Sequence, residues 1–279
     1  MKPADCPIFQ THYDERSAAR LDPAFQPLDI RHNLGGKYYE FGVMREMLEP
    51  GRVGAPAWGI VSWKFELKTA VEAGTFAAFA RQHIDEADVV FINPFIMWHA
   101  LALNVWEQGE AAHPGIVQLA GGLTGVGSLA GVLMKHDSFA YCNYFVARRA
   151  FWERFVAFVV ERFVAPLESR AEGDPLAAQA HAHAGHRGSN ASYIPFVIER
   201  LFSTFLSLYP EIRRIAYRPP IDVYRRKFGD EAGAILFGIA AAKERIAAPN
   251  DPAHRAWMEL RQTFLRCYGN LAALDDPQA

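Results

Sequence analysis

Glu107, Glu110 and His113 follow one another at intervals of three in the stretch NVWEQGEAAHPG, residues 104–115. On a helix that spacing puts all three on one face. A carboxylate beside an imidazole can take a proton from a hydroxyl, orient another base, or ligate a metal. The plainer alternative is a solvated face whose last histidine, before the stop at Pro114 and Gly115, meets the negative end of the helix. A second group, Ser62, Lys64, Lys68 and Thr69 in SWKFELKT, stands just past an apolar run. Lysines placed there can neutralise phosphates, or simply keep a loop soluble.

Three further groups have the same two-sided character. Glu199 and Arg200 interrupt the apolar stretch YIPFVIERLFSTFL, where a charge must find partners or point into a site. Asp137, after His136 in KHDSFAY, reads as a loop cap or a site acid. His181, His183 and His186 suggest a metal, but the surrounding AQAHAHAGHRGS is simple in composition and is expected to be a mobile surface loop. Several common chemistries are missing. There is no GxGxxG after the first strand, no GxxxxGK followed by Ser or Thr, no nucleophile elbow and no CxxC pair.

The composition sets wide bounds. With 279 residues, 51% hydrophobic and 22% charged, the chain has the makings of a sizeable core. A net charge of −2 gives no general drive toward nucleic acid or anionic membrane. Cys6, Cys142 and Cys267 are widely separated, which fits a reducing compartment. No signal-peptide core opens the chain, and no run reaches the roughly 18 apolar residues of a spanning helix. A cytoplasmic protein without a transmembrane segment is expected. The basic YRRKFG near the C-terminus reads as a solvated turn, with peripheral contact to membrane lipid or a partner enzyme as the alternative.

The elements that must position these groups read as strands at PIFQTHY (7–13), within 25–30, at AWGIVSW (57–63) and at DVVFINPF (88–95). Helices are expected over 37–49, over 75–87 with Thr75 as N-cap, and through ALALNVWEQGEAAH. This alternation predicts an α/β domain with a largely parallel sheet, whose ligand crevice lies beyond the carboxyl ends of the strands. The second half reads as a strand over 138–148, a long helix over 149–167, a mobile loop over 172–192, a buried helix over 193–212 and two C-terminal helices. One domain over 1–279 is expected, with an α/β part at about 7–148 and a helical part at about 149–279.

Taken in order, YYEFGVMREML, WGIVSWKFELKT, ADVVFINPF, NVWEQGEAAHPG, YCNYFVARRAFWERF and YIPFVIERLFSTFL resemble the glycosyltransferase-like proteins of bacterial capsule and O-antigen gene clusters. The resemblance spans roughly residues 7 to 210, and NVWEQGEAAHPG and NYFVARRAFW are its most specific parts. It implies a GT-A-like fold, with a central mixed, mostly parallel sheet flanked by helices and a helical acceptor side. By the same resemblance Asp14, Asn33, Lys64, Lys68, Asn93 and Arg200 would hold a nucleoside diphosphate sugar. Glu110 would be the base with His113 and Glu107 beside it, and Glu199 a rival. The acceptor would be a hydroxyl of a glycan or lipid-linked glycan. Many GT-A enzymes hold Mn or Mg with Asp-x-Asp, which this sequence lacks. Either an atypical set holds the metal, with His136 and Asp137 the nearest candidates, or lysines and arginines replace it. The second is favoured. A non-catalytic carbohydrate- or partner-binding protein of such a cluster is the rival from another class. A metal-dependent hydrolase built on Glu110 and His113 is the third, short of ligands.

Overall fold

A computed structural model of the chain describes residues 6–33, 36–126, 130–185, 191–269 and 271. In chain order it runs β1 (Ile8–His12), α1 (Glu15–Ala18), β2 (Gln26–Asp29), α2 (Glu40–Met47), β3 (Ala57–Ser62), α3 (Phe65–Thr69), α4 (Ala73–His83) and β4 (Val89–Ile92). Then come α5 (Ile96–Leu101), α6 (Val105–Ala112), α7 (Ile116–Thr124), β5 (Phe145–Arg148) and α8 (Arg149–Val159). A π-helical turn, Val160–Val164, joins α8 to α9 (Ala165–Glu168). The rest is α10 (Pro175–His181), α11 (Tyr193–Leu208), β6 (Arg214–Tyr217), α12 (Ile221–Phe228), α13 (Asp230–Glu244) and α14 (Pro252–Tyr268).

The strands form one sheet in the order β2-β1-β3-β5-β4-β6. Every pairing is parallel except the two made by β5, which runs antiparallel between β3 and β4. The largely parallel α/β sheet expected from the alternation is therefore present, and it is mixed, as the resemblance implies. Its central strands are apolar except for Ser62 and Arg148 at strand ends, because both faces are covered. Trp58 and Ile60 of β3, Val89 and Phe91 of β4, and Phe145 and Ala147 of β5 enter one core with α2, α6, α7, α8 and α11. Their neighbours Ala57, Val61, Val90, Ile92 and Val146 enter the opposite core with α4, α5, α12, α13 and α14. Period-two alternation thus sorts each strand's residues between two helical layers.

Several expected boundaries are displaced, each for a local reason. The strand expected over 138–148 shrinks to β5, because Cys142 and Asn143 adopt left-handed backbone angles (φ 61° and 52°) that end the extended run. The helix expected through ALALNVWEQGEAAH is two helices. Asn104 breaks it as N-cap of α6, its side chain accepting from the amides of Trp106 (2.9 Å) and Glu107 (2.8 Å). Asn104 also donates to the carbonyls of Ala130 (2.6 Å) and Val132 (2.8 Å), so this fully buried amide ties two segments together. The N-cap of α4 is Glu72, and Thr75 lies within the first turn. The expected mobile loop over 172–192 contains α10, started by Asp174, which accepts from the amides of Leu176 and Ala177 ahead of a Pro175 that needs no donor partner. Of its three histidines, His181 ends that helix and His183 bridges to Ser192, while His186 lies outside the described residues. β6 was not expected at all. No helix among the described residues is long and apolar enough to cross a membrane.

Candidate functional site

The carboxyl ends of β1 and β3 and the amino end of β5 share one edge of the sheet, since Phe9 pairs with Ile60 and Ile60 with Phe145. A cavity of about 540 Å³, counted out to its open mouth, lies on this edge. Thr11 and Ser62 contribute from the strand ends, Lys68 from α3, Cys142, Asn143 and Tyr144 from the turn before β5, Glu40 from α2 and Glu199 from α11.

Local structure explains each position. Buried Phe65 roots α3 immediately after β3, and Ala70, left-handed at φ 53°, closes the helix after one turn, which leaves Lys68 at its end. The Lys68 carbonyl is held by Lys227 Nζ at 2.9 Å. Lys68 Nζ donates to Cys142 Sγ at 3.2 Å and stands 6.0 Å from the centre of the Tyr144 ring. The left-handed turn that aims Cys142 costs about 1–2 kcal/mol at a residue with a Cβ. Two anchors oppose that cost: Tyr144 and Ser62 share a hydrogen bond between their hydroxyls, and the Tyr144 ring packs on Phe65 at 5.5 Å.

On α11, Glu199 and Arg200 diverge. Arg200 is buried and donates through all three of its nitrogens, to the Val105 carbonyl (3.0 Å), the Phe196 carbonyl (2.7 Å) and Gln108 Oε1 (2.7 Å). It clamps α11 to α6. Gly109 permits the approach, since a Cβ there would lie 2.4 Å from Arg200 Nε. Glu199 points the other way, into the cavity, and has neither a hydrogen bond nor an ion pair among the described residues.

Burial raises the Glu199 carboxyl above the usual glutamate range, with Lys68 and Arg200 pulling the other way. Burial opposes the charge of Lys68, but Cys142, Tyr144 and Glu199 together hold its pKa above the ordinary lysine value. Burial also pushes the Cys142 thiol up to about 12 and lifts Tyr144 above its ordinary value. At neutral pH the cavity therefore holds a lysine ammonium and a neutral thiol and phenol beside the Glu199 carboxyl group.

Of the residues singled out from sequence, Ser62, Lys68 and Glu199 meet here, Lys68 and Glu199 being the charged pair. Glu107, Glu110 and His113 do not line this cavity. Glu107 pairs with Arg261 of α14 at 2.6 Å and accepts from the Leu103 amide. Exposed Glu110 caps the start of α7, accepting from the amides of Gly115 (2.7 Å) and Val117 (3.1 Å). His113 is buried, with Nδ1 at 3.0 Å from the Ala184 carbonyl and its ring stacked on Phe196 at 3.9 Å.

The remaining donor-side candidates also sit apart from the cavity. Asp14 caps α1 through Ser17. Asn33 donates to the Tyr39 carbonyl at 2.7 Å. Lys64 lies over the Trp63 ring at 5.2 Å. Buried Asn93 closes a turn on Phe95. His136 contacts the Tyr217 carbonyl and its amide donates to Glu244, whereas exposed Asp137 takes a hydrogen bond from Ser138. Among the described residues no group of three or more His, Cys, Asp or Glu is arranged to hold a metal ion. Sequence reasoning missed Glu40, Cys142, Asn143 and Tyr144; the signal available was the asparagine in YCNY, a residue enriched in left-handed turns. Comparison with protein-family models, curated proteins and solved structures gives no match.

Proposed function

We propose that this chain is a glycosyltransferase that moves a sugar from a nucleoside diphosphate sugar to a hydroxyl of a bacterial surface glycan, with Lys68 and Glu199 as its working pair. The observation that carries the reading is the meeting of these two residues in one cavity on the carboxyl edge of the sheet. The mixed sheet and helical second half agree with the GT-A-like frame that the sequence resemblance implies.

In this reading the bond between the sugar's anomeric carbon and the phosphate oxygen breaks, and its electron pair leaves with the diphosphate. Lys68 takes up the charge that develops there. The acceptor oxygen forms the new bond to the anomeric carbon, and its proton passes to Glu199. A carboxylate whose pKa is raised by burial suits that task, because proton transfer is most effective when the base titrates near the working pH. The role first assigned to Glu110 passes to Glu199, since Glu110 spends both oxygens capping α7.

The test is a thermal-shift screen of the full chain against uridine, guanosine, cytidine and thymidine diphosphates and their sugars, with and without Mn²⁺, followed by turnover. Ligand at about 100 times its dissociation constant raises stability by roughly 2.7 kcal/mol, a visible shift. Lys68→Met and Glu199→Gln should each lower turnover by about 10²–10³-fold, while Glu110→Gln keeps it. Wild-type turnover in both Lys68→Met and Glu199→Gln refutes the assignment. A response to glycan alone, with none to any nucleotide, points instead to a carbohydrate-binding protein.

A further inference from the structure

The polar wall of the cavity is unbalanced in a way that specifies what should fill it. Two carboxylates, Glu199 and the rim residue Glu40, stand against the single ammonium of Lys68. Neither carboxylate has a hydrogen bond or ion pair among the described residues, whereas Lys68 already donates to Cys142. Asn143 gives an independent sign. It is only 6% exposed, lines the cavity, and its Oδ1 is buried without a hydrogen-bond partner. A buried acceptor left unmet costs about 1–3 kcal/mol, so a ligand that donates to it recovers that cost.

The unmet groups are thus all acceptors, gathered beside one cation. Phe41, Met44 and Ile198 supply an apolar wall against which a ring can lie. A ligand matched to this set has hydroxyl donors, one positive charge toward the glutamates, and a negative charge toward Lys68. We propose that the sugar bound here is an aminohexose with a free, protonated amine, joined to phosphate through its anomeric oxygen. The ammonium pairs with Glu199 and Glu40, a ring hydroxyl donates to Asn143 Oδ1, and the phosphate meets Lys68. This rests on the sugar-transfer reading and refines it by naming the class of sugar.

Glucosamine 1-phosphate, glucose 1-phosphate and N-acetylglucosamine 1-phosphate, titrated calorimetrically into the full chain, isolate the amine. Glucosamine 1-phosphate should bind about tenfold tighter than either of the others, as one charged hydrogen bond requires. Glu199→Gln should erase that preference, and Glu40→Gln, an exposed change that leaves the core untouched, should reduce it. Lys68→Met should weaken all three ligands alike. Equal affinities for the three phosphates, no binding of any, or a preference that survives both glutamate substitutions would overturn the proposal. Parallel titration with nucleoside diphosphates separates the two ideas. Amine preference without nucleotide binding upholds the sugar class and removes the transferase; nucleotide binding without amine preference does the reverse.

Discussion

Acidification should destabilise this protein before its ordinary surface carboxylates protonate, and His99 is the principal cause. This residue of α5 is 2% exposed and packs edge-on against His136 (5.1 Å) and Phe139 (5.5 Å). Glu244 Oε1 stands 3.3 Å from its Nε2, yet neither ring nitrogen has a hydrogen bond. Burial pushes its pKa from 6.5 to about 3, and the neighbouring charge of Lys243 adds to the push, outweighing Glu244. Burial and Arg218 move His136 the same way.

Both folded-state values lie below the unfolded one, so at mildly acid pH the unfolded chain binds protons that the folded chain excludes. The stability that His99 contributes is present above pH 6.5 and is lost as pH drops toward 3. Each such proton contributes a slope of about 1.4 kcal/mol per pH unit. By about pH 4.5, near the ordinary glutamate pKa, His99 alone has removed about 2.7 kcal/mol relative to its full contribution at higher pH. Any proton that His136 also excludes steepens the slope toward about twice that value. Below that range Glu244, whose pKa is lowered to about 2 against burial by His99 and His136, adds a loss of the same sign. Domains of this kind hold only about 5–15 kcal/mol, so the effect is large. Urea denaturation at constant ionic strength across this range measures it. His99→Phe should cut the slope by about 1.4 kcal/mol per pH unit. Flat stability from pH 7 to about 5, or an unchanged slope in His99→Phe, would refute the reasoning.

Two substitutions test the packing around the candidate site. Asn104→Ala removes a cap and leaves the Ala130 and Val132 carbonyls without their donor; it should cost about 2–4 kcal/mol in urea unfolding. Gly109→Ala drives a Cβ into the triply hydrogen-bonded Arg200 guanidinium, so a loss of about 1–3 kcal/mol is expected, read as a fall in melting temperature.

What the sequence made legible was whatever burial on two faces imposes. AWGIV and VVFI are apolar throughout because β3 and β4 are covered above and below, and most of α11 is buried in the same way. β6 stayed hidden because RIAY is short, half-buried and flanked by arginines, as an edge strand can afford to be. α10 carried its start signal in Asp174 and Pro175, but its alanines and histidines lacked an apolar stripe. For the site, residue type pointed to carboxylates and lysines without saying which were spent on caps. Glu110 and Glu199 look alike in sequence; one satisfies two backbone amides and the other has none to satisfy. Cys142 and Asn143 depend on a backbone reversal that only the returning β5 imposes.

That returning strand also dictates the order in which the chain can be assembled. β3 and β4 are consecutive in sequence but never touch, because β5 is inserted between them some fifty residues later. During synthesis both therefore wait with bare hydrogen-bonding edges and apolar faces until residues 145–148 arrive, and β4 waits longer for β6. Non-local closure of this kind slows folding and leaves sticky intermediates. The most vulnerable moment in this protein's life lies between the emergence of DVVFINPF and that of YFVAR, when a holdase chaperone has the most to cover.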